Sequence, residues 1–128
     1  MTQKNELVTQ KIKANAPFFF SELCELAVWD TLDSTNSYLL RERSSHTRAI
    51  IALDQSHGRG RLGKTWYAKA GDQLCVSLGF FLNKMPEDLS ALTLAIGIGL
   101  ADFFESNYKL SNIKLKWPND LYVNDAKL

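Results

Sequence analysis

Apolar and polar positions divide the chain into blocks of contrasting period. Residues 4–15 place Leu7, Val8 and Ile12 on one side of a short helix that Pro17 ends. Phe18-Phe19-Phe20 follows as a buried anchor, with a partner-binding aromatic patch as the alternative. Leu26-Ala-Val-Trp-Asp30 reads as a strand of β-branched and aromatic residues. Asp33-Ser34-Thr35-Asn36, a cluster of N-cap formers, precedes a helical stretch at 37–43. The cluster reads as simple capping or as an anion site at a helix N-terminus. Ala49-Ile-Ile-Ala-Leu53 is a continuous apolar run, as expected of a central strand buried on both faces.

The second half adds a long strand at Gln73–Leu82, antiparallel in character to its predecessor. Pro86-Glu87-Asp88 reads as a helix start. That helix runs to Tyr108 with an apolar stripe of Leu89, Leu92, Ile96, Leu100 and Phe103, and reads as a packed core helix. Gly97 and Gly99 weaken it but permit close packing. Ile113, Leu115 and Trp117 alternate with Lys114 and Lys116 as in a strand, which Pro118-Asn119-Asp120 breaks. Leu121-Tyr-Val123 opens another strand, and Asn124-Asp125 makes a hairpin turn. The elements predict an α+β fold: a mixed, mostly antiparallel sheet with helices packed on one face.

Composition narrows the class. With 128 residues, 45% hydrophobic and 23% charged, the chain suits one soluble domain. Fifteen Lys+Arg against 14 Asp+Glu leave a net charge of +1, without the basic excess usual in a duplex-DNA binder. Too few residues precede the first strand for a helix-turn-helix module, so no operator binding is expected. Cys24 and Cys75 sit among apolar neighbours and read as small buried hydrophobes in a reducing cytoplasm. The start of the chain lacks a signal-peptide core, and no membrane span is expected.

Positive charge is local rather than large. Gln55-Ser-His-Gly58-Arg59-Gly60-Arg61-Leu-Gly63-Lys64-Thr-Trp66 mixes glycines that allow close ligand approach with guanidinium forks suited to carboxylates and phosphates. Gly58-x-Gly60-x-x-Gly63 imitates a dinucleotide fingerprint, but no helix signal follows and Asn83 stands where an acid is needed. A Gly-Arg RNA-binding segment and a plain glycine hairpin with solvated arginines are the other readings. His46 and His57 have no partner at metal-ligand spacing, and His57 reads as a solvated loop residue.

Three clusters, Ser34-Thr35-Asn36, Gln55 with Gly58-Arg59-Gly60-Arg61-x-Gly63-x-x-Trp66, and Lys116-Trp117-Pro118-Asn119-Asp120 through Lys127, carry a joint resemblance. In order and approximate spacing they resemble the catalytic domain of biotin protein ligase, biotin–[acetyl-CoA-carboxylase] ligase, from about residue 26 to the end. The resemblance implies a fold of the class II aminoacyl-tRNA synthetase and biotin ligase kind. Residues 1–25 are then an N-terminal helical or extended segment, and 26–128 a partial biotin/lipoate ligase-like catalytic domain truncated at its C-terminus.

It also implies a chemistry. Biotin and ATP with Mg²⁺ give biotinyl-5′-AMP, which acylates a lysine of biotin carboxyl carrier protein. Arg61 and Lys127 match the catalytic positions. Ser34, Thr35, Asn36, Gln55, Gly58, Arg59, Gly60 and Trp66 match biotin and adenylate contacts. Lys116, Asn119 and Asp120 match ATP and Mg²⁺ contacts, with no metal site built by the protein alone. The family's later strands and small C-terminal domain are missing, and Leu62 stands where a basic residue is frequent. A sheet edge left bare by those strands would favour self-association. The alternatives are a non-catalytic remnant or binding module of this fold, and a lipoate or octanoyl transferase.

Overall fold

The computed structural model describes residues 3–15, 24–66, 71–84, 86–89 and 91–128, without the side chains of Gln3, Lys4 and Arg61. Phe18–Phe20 lie outside the described residues. The chain forms two compact units, residues 1–83 and 84–128.

The first unit is built on a three-stranded sheet. Strands β1 (Cys24–Leu32), β2 (Thr47–Gln55) and β5 (Cys75–Gly79) lie in the order β1-β2-β5, with β1 parallel and β5 antiparallel to β2. The apolar run at 49–53 is therefore central, as its pattern predicts. Ala49, Ile50 and Ala52 are buried, and they belong to both alternating faces. The register places Leu26 beside Ala49, and these two with Cys24 form a core against which Ile12 and Ile51 pack.

Ile12 belongs to α1 (Gln3–Asn15), so this helix covers that face. Helix α2 (Thr35–Arg41) meets the alternating positions instead: Tyr38 lies 5.5 Å from Trp29, and Leu39 packs at Gly79. The mixed, mostly antiparallel α+β arrangement stands, but with these two helices on opposite faces of the sheet. A parallel β1–β2 pair leaves apolar residues on both faces, and each face then needs a cover.

Strand β5 is shorter than the run from Gln73 to Leu82 suggested. Its ladder with β2 ends at the Arg48–Gly79 and Ala52–Cys75 pairs, and Leu74, Phe80 and Phe81 beyond it are exposed. Cys24 and Cys75 are buried, and burial pushes both thiols up, so they remain protonated at neutral pH.

The second unit contains α3 (Leu92–Tyr108) and a meander of β6 (Ile113–Lys116), β7 (Asp120–Val123) and β8 (Ala126–Lys127). Asn124 and Asp125 make the predicted hairpin turn, both at positive φ (49° and 65°). Helix α3 starts later than the Pro86 signal, because proline and acids serve a preceding turn equally well. Its packing departs from expectation. Gly97 is the buried residue of the helix and lies against Leu115, whereas Leu92, Ile96, Leu100 and Phe103 are 44–53% exposed. An apolar stripe records a capacity for burial, and these short strands cover only the strip around Gly97.

Candidate functional site

Between the end of β2 and the start of β5 the first unit has an open cavity of about 310 Å³. Ser34, Thr35, Asn36, Gln55, Arg59 and Trp66 line it, so six of the expected site residues converge from two of the three clusters. Three of them are held by hydrogen bonds. Ser34 caps α2, its Oγ accepting from Ser37 N at 3.3 Å. Thr35, 3% exposed, donates both its backbone N–H (2.8 Å) and its hydroxyl (3.1 Å) to Gln55 Oε1. With its hydroxyl and leading amide thus engaged, the Ser-Thr-Asn cluster follows the capping reading rather than that of an anion site.

The glycine–arginine loop is a tight β-hairpin. Strands β3 (Gly58–Arg59) and β4 (Thr65–Trp66) pair antiparallel, and a 3₁₀ turn at Arg61–Gly63 joins them. No helix follows Gly63, which accounts for the failure of the dinucleotide pattern. A Cβ on Gly58 would sit 2.6 Å from the Trp66 carbonyl oxygen, so glycine here is a requirement of close backbone approach. Gly60 is similarly tight, with Lys64 O at 3.1 Å from such a Cβ. Ser56 N and His57 N donate to Leu32 O and Asp33 O (2.9 and 2.8 Å), tying the hairpin to the end of β1. Trp66 Nε1 donates to Gln73 Oε1 at 2.8 Å, which fixes the indole at the cavity wall.

Asp33 precedes the lining residue Ser34 in the chain. Its bidentate pairing with Arg41 (2.5 and 3.1 Å) holds its carboxyl down to about 2. Five lining residues, Gln73 to Ser77, lie outside the expected site, and Gln73 and Ser77 are the polar ones among them. Ser77 Oγ lies 2.8 Å from Thr35 Oγ1. A serine interrupting the apolar run Leu74-Cys-Val-Ser-Leu78 was the available signal.

A larger cavity of about 550 Å³ opens beyond the C-terminal end of α2, with Arg43, His46, Arg48 and Phe81 among its walls. Its most buried cation is already committed. Arg48 pairs with Glu25, donates to Glu42 O at 3.0 Å and lies over the Tyr38 ring.

The second unit holds the remaining expected residues. Lys127 Nζ lies 2.9 Å from Asp120 Oδ1, to which Asn119 Nδ2 also donates at 3.2 Å. Lys116 faces the Tyr122 ring at 5.7 Å. Strand pairing makes this cluster: Lys116 is opposite Asp120, and Tyr122 opposite Lys127. Among the described residues no three His, Cys, Asp or Glu side chains gather as a metal cage, and no helix is long and apolar enough to cross a membrane.

The first unit thus sets a polar, hydrogen-bonded cavity, lined in part by Arg59, beside a glycine–arginine hairpin on an α+β scaffold. Residues 26–128 match the model of the biotin/lipoate A/B protein ligase family. The chain belongs to that family. It is similar to the bifunctional ligase/repressor BirA of Escherichia coli, with 39% identity over 106 residues, covering 80% of this chain and 32% of the relative. It is also similar to a biotin–[acetyl-CoA-carboxylase] ligase of Mycobacterium tuberculosis, 33% identical over 113 residues, covering 78% and 42%. Among solved structures, biotin protein ligase of Aquifex aeolicus in complex with biotin and ATP superposes with a TM-score of 0.68 at 33% identity, over 81% of this chain and 44% of that one. The biotin acetyl coenzyme A carboxylase synthetase of Helicobacter pylori with bound biotinylated ATP gives 0.64 at 33%, over 82% and 52%. The chain thus spans from about a third to about half the length of these relatives.

Proposed function

We propose that this chain carries the biotin- and adenylate-handling part of a biotin protein ligase. The observation that carries this reading is the hydrogen-bonded pair of Thr35 and Gln55, two uncharged side chains ordered in the cavity wall. A ureido head is neutral and offers both donors and acceptors, so neutral partners suit it. The names of the relatives and the ligands of the solved structures support the same assignment.

The biotin carboxylate attacks the α-phosphorus of ATP, and the bond to pyrophosphate breaks. In the second step a carrier-protein lysine amine attacks the acyl carbon, loses a proton and expels AMP. Ser34, Thr35, Asn36 and Gln55 hold the head, and Trp66 supplies an aromatic wall. Gly58 and Gly60 let the hairpin backbone approach the ligand. Arg59, Arg61 and Lys127 offset the repulsion between the carboxylate and the phosphates and the charge that grows at the α-phosphate. Lys116 and Asn119 contact ATP. Asp120 and Asn119 present hard oxygens that fit Mg²⁺, which binds through one or two carboxylates plus substrate phosphates. Bound there, the ion would neutralise phosphate charge. The acceptor in this reading is biotin carboxyl carrier protein, and the compartment is the cytoplasm.

Biotin-dependent ATP–pyrophosphate exchange tests the proposal. Lys127→Ala is expected to slow exchange by roughly 10²–10³. Its stability is expected to change by less than about 1 kcal/mol, because the Asp120 pair is partly exposed. Absence of both exchange and saturable biotin binding in the unaltered chain would overturn the assignment. Saturable lipoate binding without biotin binding would transfer it to the lipoate branch.

A further inference from the structure

The hydrogen-bond inventory around Thr35 leaves little freedom in how its protons are placed. Gln55 Oε1 has two lone pairs, and Thr35 uses both, through its amide N–H and its hydroxyl. A hydroxyl has one proton, so the Thr35 proton is committed to Gln55. The 2.8 Å contact between Thr35 Oγ1 and Ser77 Oγ must then run with Ser77 as donor. The order of the chain is Ser77 to Thr35 to Gln55, linking β5 to the first residue of α2 and to the end of β2.

This order decides what the network offers a ligand. With Oε1 saturated, Gln55 has only its amide NH₂ to give, and that group is a donor. Ser77 keeps two lone pairs and Thr35 one, and these are acceptors. A head group that fits must present N–H donors on one side and a carbonyl acceptor on the other. A dithiolane or a plain acyl chain presents neither and would strand these polar groups in a half-buried cavity, a costly outcome.

We propose that Ser77 is a specificity-determining positioning residue, acting through Thr35 to fix the Gln55 amide so that the cavity selects a cyclic urea over lipoyl-type and octanoyl-type acids. The inference rests on biotin being the ligand, and it adds a residue outside the three sequence clusters. Ser77 sits on β5, whose antiparallel register with β2 places it beside Ile50, 0% exposed. That setting makes it a rigid donor rather than a loop hydroxyl free to turn.

The test is calorimetry on the 128-residue chain and on its Ser77→Ala variant. The ligands are biotin, lipoate and 2-iminobiotin, whose N–H replaces the biotin carbonyl oxygen. The unaltered chain is expected to prefer biotin over 2-iminobiotin strongly and to show no saturable lipoate binding. Ser77→Ala is expected to weaken biotin binding about tenfold, the order of one buried hydrogen bond, and to narrow the biotin-to-iminobiotin ratio by a similar factor. Thermal midpoints of the two proteins report folding separately. Equal weakening of biotin and 2-iminobiotin binding would make Ser77 merely structural and overturn the proposal. So would an unchanged biotin affinity in Ser77→Ala while the unaltered chain binds biotin, and the ligase assignment would survive that result. Absence of biotin binding in the unaltered chain would overturn both.

Discussion

In the first unit Val28, Ile50 and Ala52 are almost wholly withdrawn from water, whereas in the second Leu92, Ile96 and Leu100 remain about half exposed. The candidate site residues divide along the same line. Thr35 and Gln55 bond to each other beside a packed sheet, while Lys127 and Asp120 pair on a short meander. Recognition of a neutral head needs donors and acceptors fixed to within a few tenths of an ångström, and close packing provides that. Charges act over longer distances and tolerate solvated side chains. The first unit thus sets its hydrogen-bonded residues on a packed sheet, while the second carries its ion pair in a unit whose helix is half exposed.

The sharpest way to break this contrast is truncation in each unit. Ile50→Ala is expected to cost roughly 2–5 kcal/mol. Ile96→Ala, at a half-exposed position, is expected to cost less than about 1 kcal/mol, read from denaturant midpoints. Equal losses would show that α3 is covered in solution, and the contrast would vanish.

A smaller effect is expected at the hairpin. Gly58→Ala drives a Cβ into the Trp66 carbonyl and is expected to cost about 1–3 kcal/mol, with Trp66 fluorescence shifted. Gly99 is the control: a Cβ there meets nothing within 4 Å, so Gly99→Ala is expected to stabilise α3 by about 0.5–1 kcal/mol.

Thr35→Val keeps the shape and removes the hydroxyl. Leaving Ser77 and Gln55 without that partner is expected to cost about 1–3 kcal/mol and to weaken biotin binding in calorimetry. The smallest effect is at Asp33. Arg41 lowers its carboxyl from 3.8 to about 2, so the folded form binds its proton more weakly than the unfolded form. The stabilisation is present above about pH 4 and fades as pH falls toward 2. Asp33→Asn is expected to flatten that part of the acid-denaturation curve, and salt to shrink the difference, since the pair is exposed.

Much of this was legible in the chain because local signals and tertiary demands agreed. The run at 49–53 reads as a central strand, and its Ala49, Ile50 and Ala52 are buried from both faces, although Leu53 at its end is exposed. Asn124-Asp125 reads as a turn because both residue types tolerate positive φ. Ser34, Thr35, Asn36, Gln55, Arg59 and Trp66 stand out in two stretches of the chain, and the cavity gathers them. Ser77 escaped notice because one hydroxyl in an apolar strand has no periodic signature. Its meaning depends on the β2–β5 register and on what stands across from it.

By itself, the sequence determined which segments could form strands and helices, where the glycines permit close backbone approach, and which polar residues were available for a site. Those properties follow from backbone sterics and from the spacing of apolar side chains, both local to the chain. Tertiary structure alone decided that Ser77, Thr35 and Gln55 meet, that Lys127 pairs with Asp120, and how little of α3 its strands cover. Each depends on distances between residues far apart in sequence, and hydrogen bonding and burial act only at those distances.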